Sequence, residues 1–446
     1  MAARGQRRGR RVWRWVRRLV LYPLLALILV VAGTVAWVQA TIYRAPDPET
    51  RPLALTGATV LVGPDLEPLT GATVLVRGGR VAQVGPAGEV TVPEDARVID
   101  LAGATVLPGL VDSHAHLLAP SGTNAVTSIA SWANHYFRYA AARREAYLQH
   151  GITSVRSMGD DPQWVLELRR RVDAGELAGP RVFAAGPVFT TPNGHPVVTL
   201  GGSTEDPGVR VPSTPEEARA QVRELATGEH PVDLVKVIQE RGDPARLVMD
   251  PIPLPVLEAI VDEAHAHDIP VFAHWGTQED LTDVLEAGVD GLDHLEPRGT
   301  ADGWDPDLLA RVVADGVTLA PTFAVMEPKM RDTLLPTQQE RFAEFLDAGG
   351  RPVAGSDAPM NGLEFGASLL HELELMVEAG ASPRQALRAA TSTAAEVLRS
   401  DEIGVIEEGR PADLLVVDGD PLTDITAVKQ VLLVLRDGTQ VVDHLP

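Results

Sequence analysis

Hydrophobic and polar positions divide the chain into three regimes. Residues 19–43, "LVLYPLLALILVVAGTVAWVQATIY", form an apolar run without a charge, longer than the roughly 20 residues that span a bilayer. After the Pro-rich stretch "RAPDPETRP" (44–52) come short aliphatic and β-branched runs bounded by Gly, Pro and Asp. These are "ATVLV" at 58–62 and again at 72–76, "RVAQVGP" at 80–86 and "ARVIDLAGATVLPGL" at 96–110, with Gly78-Gly79 as a two-residue hairpin signal. "ADLLVVDGDP" (412–421) and "VLLVLRDGTQVV" (431–442) read the same way. Neither flank makes a comfortable domain alone, so 53–107 and 403–446 are expected to combine into one small β-sandwich.

Between the flanks, over 108–402, strand patterns alternate with helical ones, the rhythm of a parallel α/β sheet. Candidate strands are 109–116, 152–159, 181–189, 232–238, 270–275, 290–295, 317–323 and 352–358. Eight strand–helix units fit a (β/α)8 TIM barrel. An open doubly wound sheet is the alternative, but no G-x-G-x-x-G follows the first strand to support nucleotide binding.

Composition narrows the partners. At 446 residues and 45% hydrophobic content the chain is folded and can bury a large core. It has no cysteine, which excludes disulfides, thiolate ligands and thiol catalysis together. Residues 1–18 carry eight arginines and no acid, a basic cytoplasmic tail that orients residues 19–43 as an N-inside transmembrane helix with the body extracytoplasmic. A cleaved signal ending near Val38-Gln39-Ala40 is the competing reading and would make the protein secreted or periplasmic. Without those eight arginines the net charge of −22 falls to about −30, which argues against nucleic acid as a partner. Contact with a membrane is then expected through the N-terminal helix alone.

Barrel enzymes place their chemistry at the C-terminal ends of the strands. Those ends carry His114 and His116 on the first, Lys236 on the fourth, His274 on the fifth, His294 on the sixth and Asp357 on the eighth. Two histidines one residue apart on a strand face the same side. Each residue also has a plain structural use: H-x-H can close a solvated strand, single histidines can be hydrogen-bonded in a core, and Asp357 can cap a helix. Lys236 is the most telling, because the chain has only three lysines and this one lies inside "LVKVI". A buried ammonium there is costly; its amine titrates low and can take up CO₂ as an anionic carbamate, unless it snorkels to solvent.

The set H-x-H, Lys, His, His, Asp, together with the split β-sandwich and "GVIEEGRPADLLVVDGDPLTDI" at 404–425, resembles the amidohydrolase superfamily. More narrowly it is similar to the imidazolonepropionase-related and Xaa-Pro dipeptidase-like branch. The resemblance covers residues 53–446. It implies a binuclear centre of two divalent metal ions, commonly zinc, with His114, His116 and Asp357 on one ion and His274 and His294 on the other. Lys236, carboxylated by CO₂, would bridge both. A metal-bridging hydroxide would attack the carbonyl, with Asp357 as ligand and proton shuttle.

The expected activity is hydrolysis of an amide, peptide or cyclic amide bond in a small-molecule substrate. An ester, lactone or phosphotriester hydrolase at the same centre, and a non-catalytic metal-holding ectodomain, remain as alternatives. His195, in the loop "TTPNGHPVVTLGG" (190–202), resembles a Gly-His element near the family's substrate. Arg241 and Arg246 are candidate partners of a substrate carboxylate, with a surface role as the plainer reading. One departure stands out: dipeptidases of the branch carry a tyrosine near the bridging lysine, whereas all five tyrosines here lie at or before Tyr147. Asp293 beside His294 and Ser356 beside Asp357 are candidate supports of those ligands, but adjacent strand residues usually point opposite ways, so a role outside the site is the plainer reading. His265, His267 and His371 fall on helical stretches and read as structural.

Overall fold

The computed structural model describes residues 13, 15–41, 43, 44, 46, 47, 49–117 and 140–445. Most of the basic tail expected at 1–18 lies outside the described residues. The apolar run forms a helix over Tyr22–Thr41, led in by Arg17–Leu21. Leu24, Leu25, Leu27, Ile28, Leu29 and Val30 are all exposed on it, and the stretch Arg17–Val38 is long and apolar enough to cross a membrane.

In chain order the strands are β1 (Leu53–Val62), β2 (Glu67–Arg77), β3 (Arg80–Pro86), β4 (Arg97–Asp100), β5 (Ala104–Pro108), β6 (Leu110–Ala115), β7 (Ile152–Ser157), β8 (Arg181–Ala184), β9 (Val188–Phe189) and β10 (Val209–Arg210). They continue with β11 (Val235–Gln239), β12 (Gly242–Asp243), β13 (Leu247–Val248), β14 (Val271–Trp275), β15 (Gly291–Asp293), β16 (Thr318–Ala320) and β17 (Arg351–Pro352). The last three are β18 (Leu414–Asp418), β19 (Val431–Arg436) and β20 (Thr439–Asp443).

Strands from both flanks share one sheet, in the order β20-β19-β18-β5-β1-β2-β3, with β4 also paired to β1. Its core is aliphatic: Leu55, Val60, Val74, Val81 and Val106 meet Leu414, Val416 and Leu433. Gly78 and Gly79 carry φ of 58° and 80°, the two positive values that a tight hairpin of matching twist requires.

Apart from the small antiparallel pair β12-β13, the strands in the middle of the chain pair in parallel. One sheet runs β10-β9-β11-β14-β15-β16-β17 and another β6-β7-β8. Two seams join them. Asp233 N donates to Ala184 O at 3.0 Å, and β6 meets the segment after β17 through Ser113 N to Ala354 O at 2.8 Å, Asp357 N to His114 O at 2.7 Å and a parallel bridge at Ala115 and Ala358. Helices start where the sequence supplies caps: Asp161, Thr214, Thr277, Asp305 and Ser382 each accept from a first-turn N–H, which satisfies donors that no intrahelical carbonyl reaches. Both faces of the parallel strands are covered, so Val155, Val237, Ala273, Leu292 and Leu319 are buried, as two-sided burial demands.

The strands are shorter than their hydrophobic runs. Residues 181–189 split into β8 and β9 around Gly186, at φ 64°. Of 352–358, only its first residue lies in β17, and the bridge at Ala358 is the rest of its ladder. That chain spends its hydrogen bonds on β6 instead.

Candidate metal centre

The strand ends converge. His114 lies on β6 with His116 just past its end, Lys236 on β11 and His274 on β14; His294 and Asp357 follow β15 and β17. His294 and Asp357 both take left-handed backbone conformations, with φ of 68° and 57°. Such conformations are uncommon for residues other than glycine and cluster where function over-determines the backbone. Each is pinned by a backbone bond, His294 N to Ala320 O at 2.8 Å and Asp357 N to His114 O at 2.7 Å.

Four imidazoles form a chain across the rim, with ring centroids 5.5 Å apart for His116 and His114, 4.7 Å for His114 and His294, and 5.0 Å for His294 and His274. His114, His294 and Asp357 bring one ligand atom each within 4.8 Å of one another. Asp357 Oδ1 lies 3.3 Å from His116 Nε2 and 3.6 Å from His114 Nε2. It is buried without a hydrogen bond of acceptable geometry among the described residues. A buried carboxylate oxygen facing imidazole nitrogens with no proton directed between them suits a divalent cation. Two outer nitrogens are engaged as in metal sites: His116 Nδ1 lies 3.2 Å from Gly159 O and His294 Nδ1 2.8 Å from Thr322 Oγ1; His114 Nδ1 lies 3.1 Å from Asp293 Oδ1, within ion-pair distance but outside hydrogen-bond geometry.

Lys236 and His274 have other partners here. Lys236 Nζ donates to Asp293 Oδ2, and His274 Nε2 lies 3.2 Å from Glu240 Oε2. Burial pulls the Lys236 amine below the ordinary lysine value, against the opposing pull of Asp293. Burial and the charge of His114 hold His294 well below its usual range. Burial alone would raise the Asp357 carboxyl, but His116, His114 and His294 outweigh it and hold it below the carboxylate range.

His195 stacks on His274, with centroids 5.4 Å apart and planes 18° from parallel, and its Nδ1 meets Thr199 Oγ1. Burial, then the charge of His274, pushes its pKa down to about 3, so it presents a neutral imidazole. Arg241 is bound to Asp280, Asp283 and Glu279, and Arg246 is an exposed partner of Asp243. His265, His267 and His371 pair with acids outside the centre.

Three neighbours escaped the sequence. Asp293 joins Lys236, His114 and Arg156, the last at 3.0 Å. Alternation pointed it away from the site, but β15 ends at Asp293 and the left-handed His294 turns the chain, so both side chains serve the centre. Glu240 joins His274 to Arg298; burial would raise it, but His274 and Arg298 hold its pKa at about 2. Thr322 is the third. Ser356 instead donates its hydroxyl to Asp112 at 2.7 Å, tying the segment after β17 to β6.

The profile of the Amidohydrolase family matches residues 105–441. The chain belongs to the amidohydrolase family. An imidazolonepropionase of Haloarcula marismortui is 27% identical over 456 residues, covering 91% of this chain and 94% of that protein. Among solved structures, a Bifidobacterium longum protein assigned as a prolidase aligns with a TM-score of 0.72 at 29% identity, over 90% of this chain and 96% of its own. Phenylurea hydrolase B aligns at 0.74 and 26% identity, over 88% and 97%. The chain thus falls on the imidazolonepropionase and prolidase-like branch of the family, as its strand-end residues implied.

Proposed function

We propose that this amidohydrolase is a membrane-tethered, extracytoplasmic metalloenzyme that hydrolyses an amide, peptide or cyclic amide bond. The observation that carries the reading is the meeting of His114, His294 and Asp357 around a buried carboxylate oxygen without a hydrogen-bond partner. Relatives named imidazolonepropionase, prolidase and phenylurea hydrolase support carbon–nitrogen chemistry. The two parallel sheets and their seams support a closed (β/α)8 barrel over 108–402, beside a β-domain whose strands, from 53–107 and 403–446, share one sheet in place of the two of a sandwich.

His114, His116 and Asp357 would hold one divalent ion, His274 and His294 a second, and Lys236, once carboxylated by CO₂, would reach both; zinc suits the nitrogen and oxygen donors. Bound there, two such ions acidify water and polarise a carbonyl. Asp357, ionised at neutral pH, is placed to take the proton of the attacking water and return it to the leaving nitrogen. With Nδ1 of His114 facing Asp293 and Nδ1 of His294 bonded to Thr322, Nε2 of each ring is the nitrogen left for a metal ion. His195 offers a neutral ring beside His274, where a substrate would lie. The exposed apolar helix supports the anchor.

Purified full-length protein is expected to carry two metal ions and to turn over a member of a panel of dipeptides, N-acyl amino acids and hydantoins, with lactones for comparison. Asp357→Asn should lower kcat by about 10²–10⁴-fold. Metal-replete protein inert on the whole panel would overturn the reading. N-terminal sequencing of the mature chain tests the anchor, and a start just after Ala40 would replace it with a cleaved signal.

A further inference from the structure

The helix Phe323–Met330 opens directly behind the centre, and its first residues are held in an unusual way. Thr322, the residue before it, has φ 53° and ψ 46° and places no side-chain cap on the helix. A β-branched residue in the left-handed region is strained and persists only where its surroundings impose it. The two amides that follow Thr322 are both held by Glu372, on the facing helix Ala367–Glu378. Its Oε1 accepts from Phe323 N at 3.0 Å and its Oε2 from Ala324 N at 2.7 Å. Glu372 is entirely buried; burial pushes its pKa up, and the two N–H groups, which favour the ionised form, pull the other way. A hydrophobic residue would fill the same space without that penalty. What the carboxylate adds is geometric. It is a two-oxygen cap supplied from a second helix, satisfying donors that Thr322 itself leaves open.

On the other side of that strained residue, Thr322 Oγ1 lies 2.8 Å from His294 Nδ1. Two buried links therefore run from Glu372 through the Thr322 backbone to an imidazole of the centre. We propose that Glu372 is a positioning residue of the metal centre, which holds Thr322 left-handed so that its hydroxyl fixes the ring of His294. The inference rests on the reading of His294 as a metal ligand. It needs no contact between Glu372 and metal or substrate.

The test reads zinc binding by competition with a chelating dye, on full-length wild type and on Glu372→Gln, Thr322→Val, the double variant and His294→Ala. Gln keeps the shape of Glu372 but offers one acceptor and turns an amide N–H toward a backbone N–H. Val keeps the β-branch of Thr322 and removes only the hydroxyl. Glu372→Gln and Thr322→Val should each weaken one zinc equivalent by about 10–100-fold, and the double variant should bind no more weakly than the weaker single. A loss of Tm in Glu372→Gln should persist in the Thr322→Val background, which separates helix capping from ligand positioning. Wild-type zinc affinity in Glu372→Gln alongside a loss in His294→Ala would overturn this inference alone; so would strictly additive losses. Wild-type affinity in His294→Ala would overturn the ligand assignment beneath it. Should Glu372→Gln not fold, Glu372→Asp, with the charge on a shorter arm, takes its place with the same expected losses and the same overturning results.

Discussion

Asp293 pairs with two buried basic groups, Arg156 and the uncarboxylated Lys236, and lies against His114. Arg156 is fully buried, lies 3.9 Å over the Phe272 ring and donates its Nε to Ser113 O. Removing one member of a buried ion pair leaves an uncompensated charge and costs about 3–5 kcal/mol. Asp293→Asn should therefore lower unfolding stability by that amount, measured by urea denaturation. A loss below about 1 kcal/mol, the range of exposed pairs, would contradict the assignment. Legibility at this scale followed chemistry and strand position. His114, His116, Lys236, His274, His294 and Asp357 stood out because metal-competent groups end five of the eight candidate strands. Asp293, Glu240 and Thr322 did not, because their roles come from partners distant in sequence and from left-handed turns that cancel strand alternation.

Among elements, the contact between β6 and the segment after β17 admits no extra atom. A Cβ on Gly355 would lie 2.6 Å from His114 Cβ and 2.9 Å from His114 N. Gly355→Ala should push the two chains apart, cost about 1–3 kcal/mol as overpacking does and weaken zinc binding through His114. Unchanged thermal unfolding and zinc titration would rule this out. The helices Phe323–Met330 and Ala367–Glu378 are also clasped from outside. His371 Nε2 lies 2.7 Å from Glu327 Oε2 and its Nδ1 3.1 Å from Glu374 Oε2, with Arg331 on Glu327 and Lys429 on Glu374. Burial lowers the His371 pKa, but Glu374 and Glu327 outweigh it and the net direction is up. A histidine raised in the folded state stabilises fully below its unfolded pKa of about 6.5 and loses that stabilisation as pH rises through the folded value. The Tm of wild type should exceed that of His371→Gln most at pH 5–6, and the gap should shrink toward pH 9. A gap constant with pH would exclude the clasp. The alternation of strands and helices was plain in the sequence, whereas the eighth strand was not. Its apolar run is a strand by composition, yet most of its hydrogen bonds go to β6, a pairing that local pattern does not encode.

At the scale of the whole molecule, the sheet built from both flanks was legible because neither flank holds enough alternating strands to close a core. Its strand order was not, since sequence does not say which edge a returning segment will join. β18 lies against β5 along its whole length, from Leu414 opposite Pro108 to Asp418 opposite Ala104. Deleting residues 414–446 should leave that edge of β5 open to other chains and yield a protease-sensitive, self-associating protein in limited proteolysis and size-exclusion chromatography. A monomeric, protease-resistant product would refute the dependence.

The same pairing imposes an order on synthesis. A nascent chain emerging from the ribosome presents β1 to β5 long before β18 to β20 exist, so β5, though made early, is among the last strands to be fully paired. The parallel α/β region between them must be translated while an aliphatic strand edge stands waiting, and stalling or early termination anywhere within it releases a product with that edge still open.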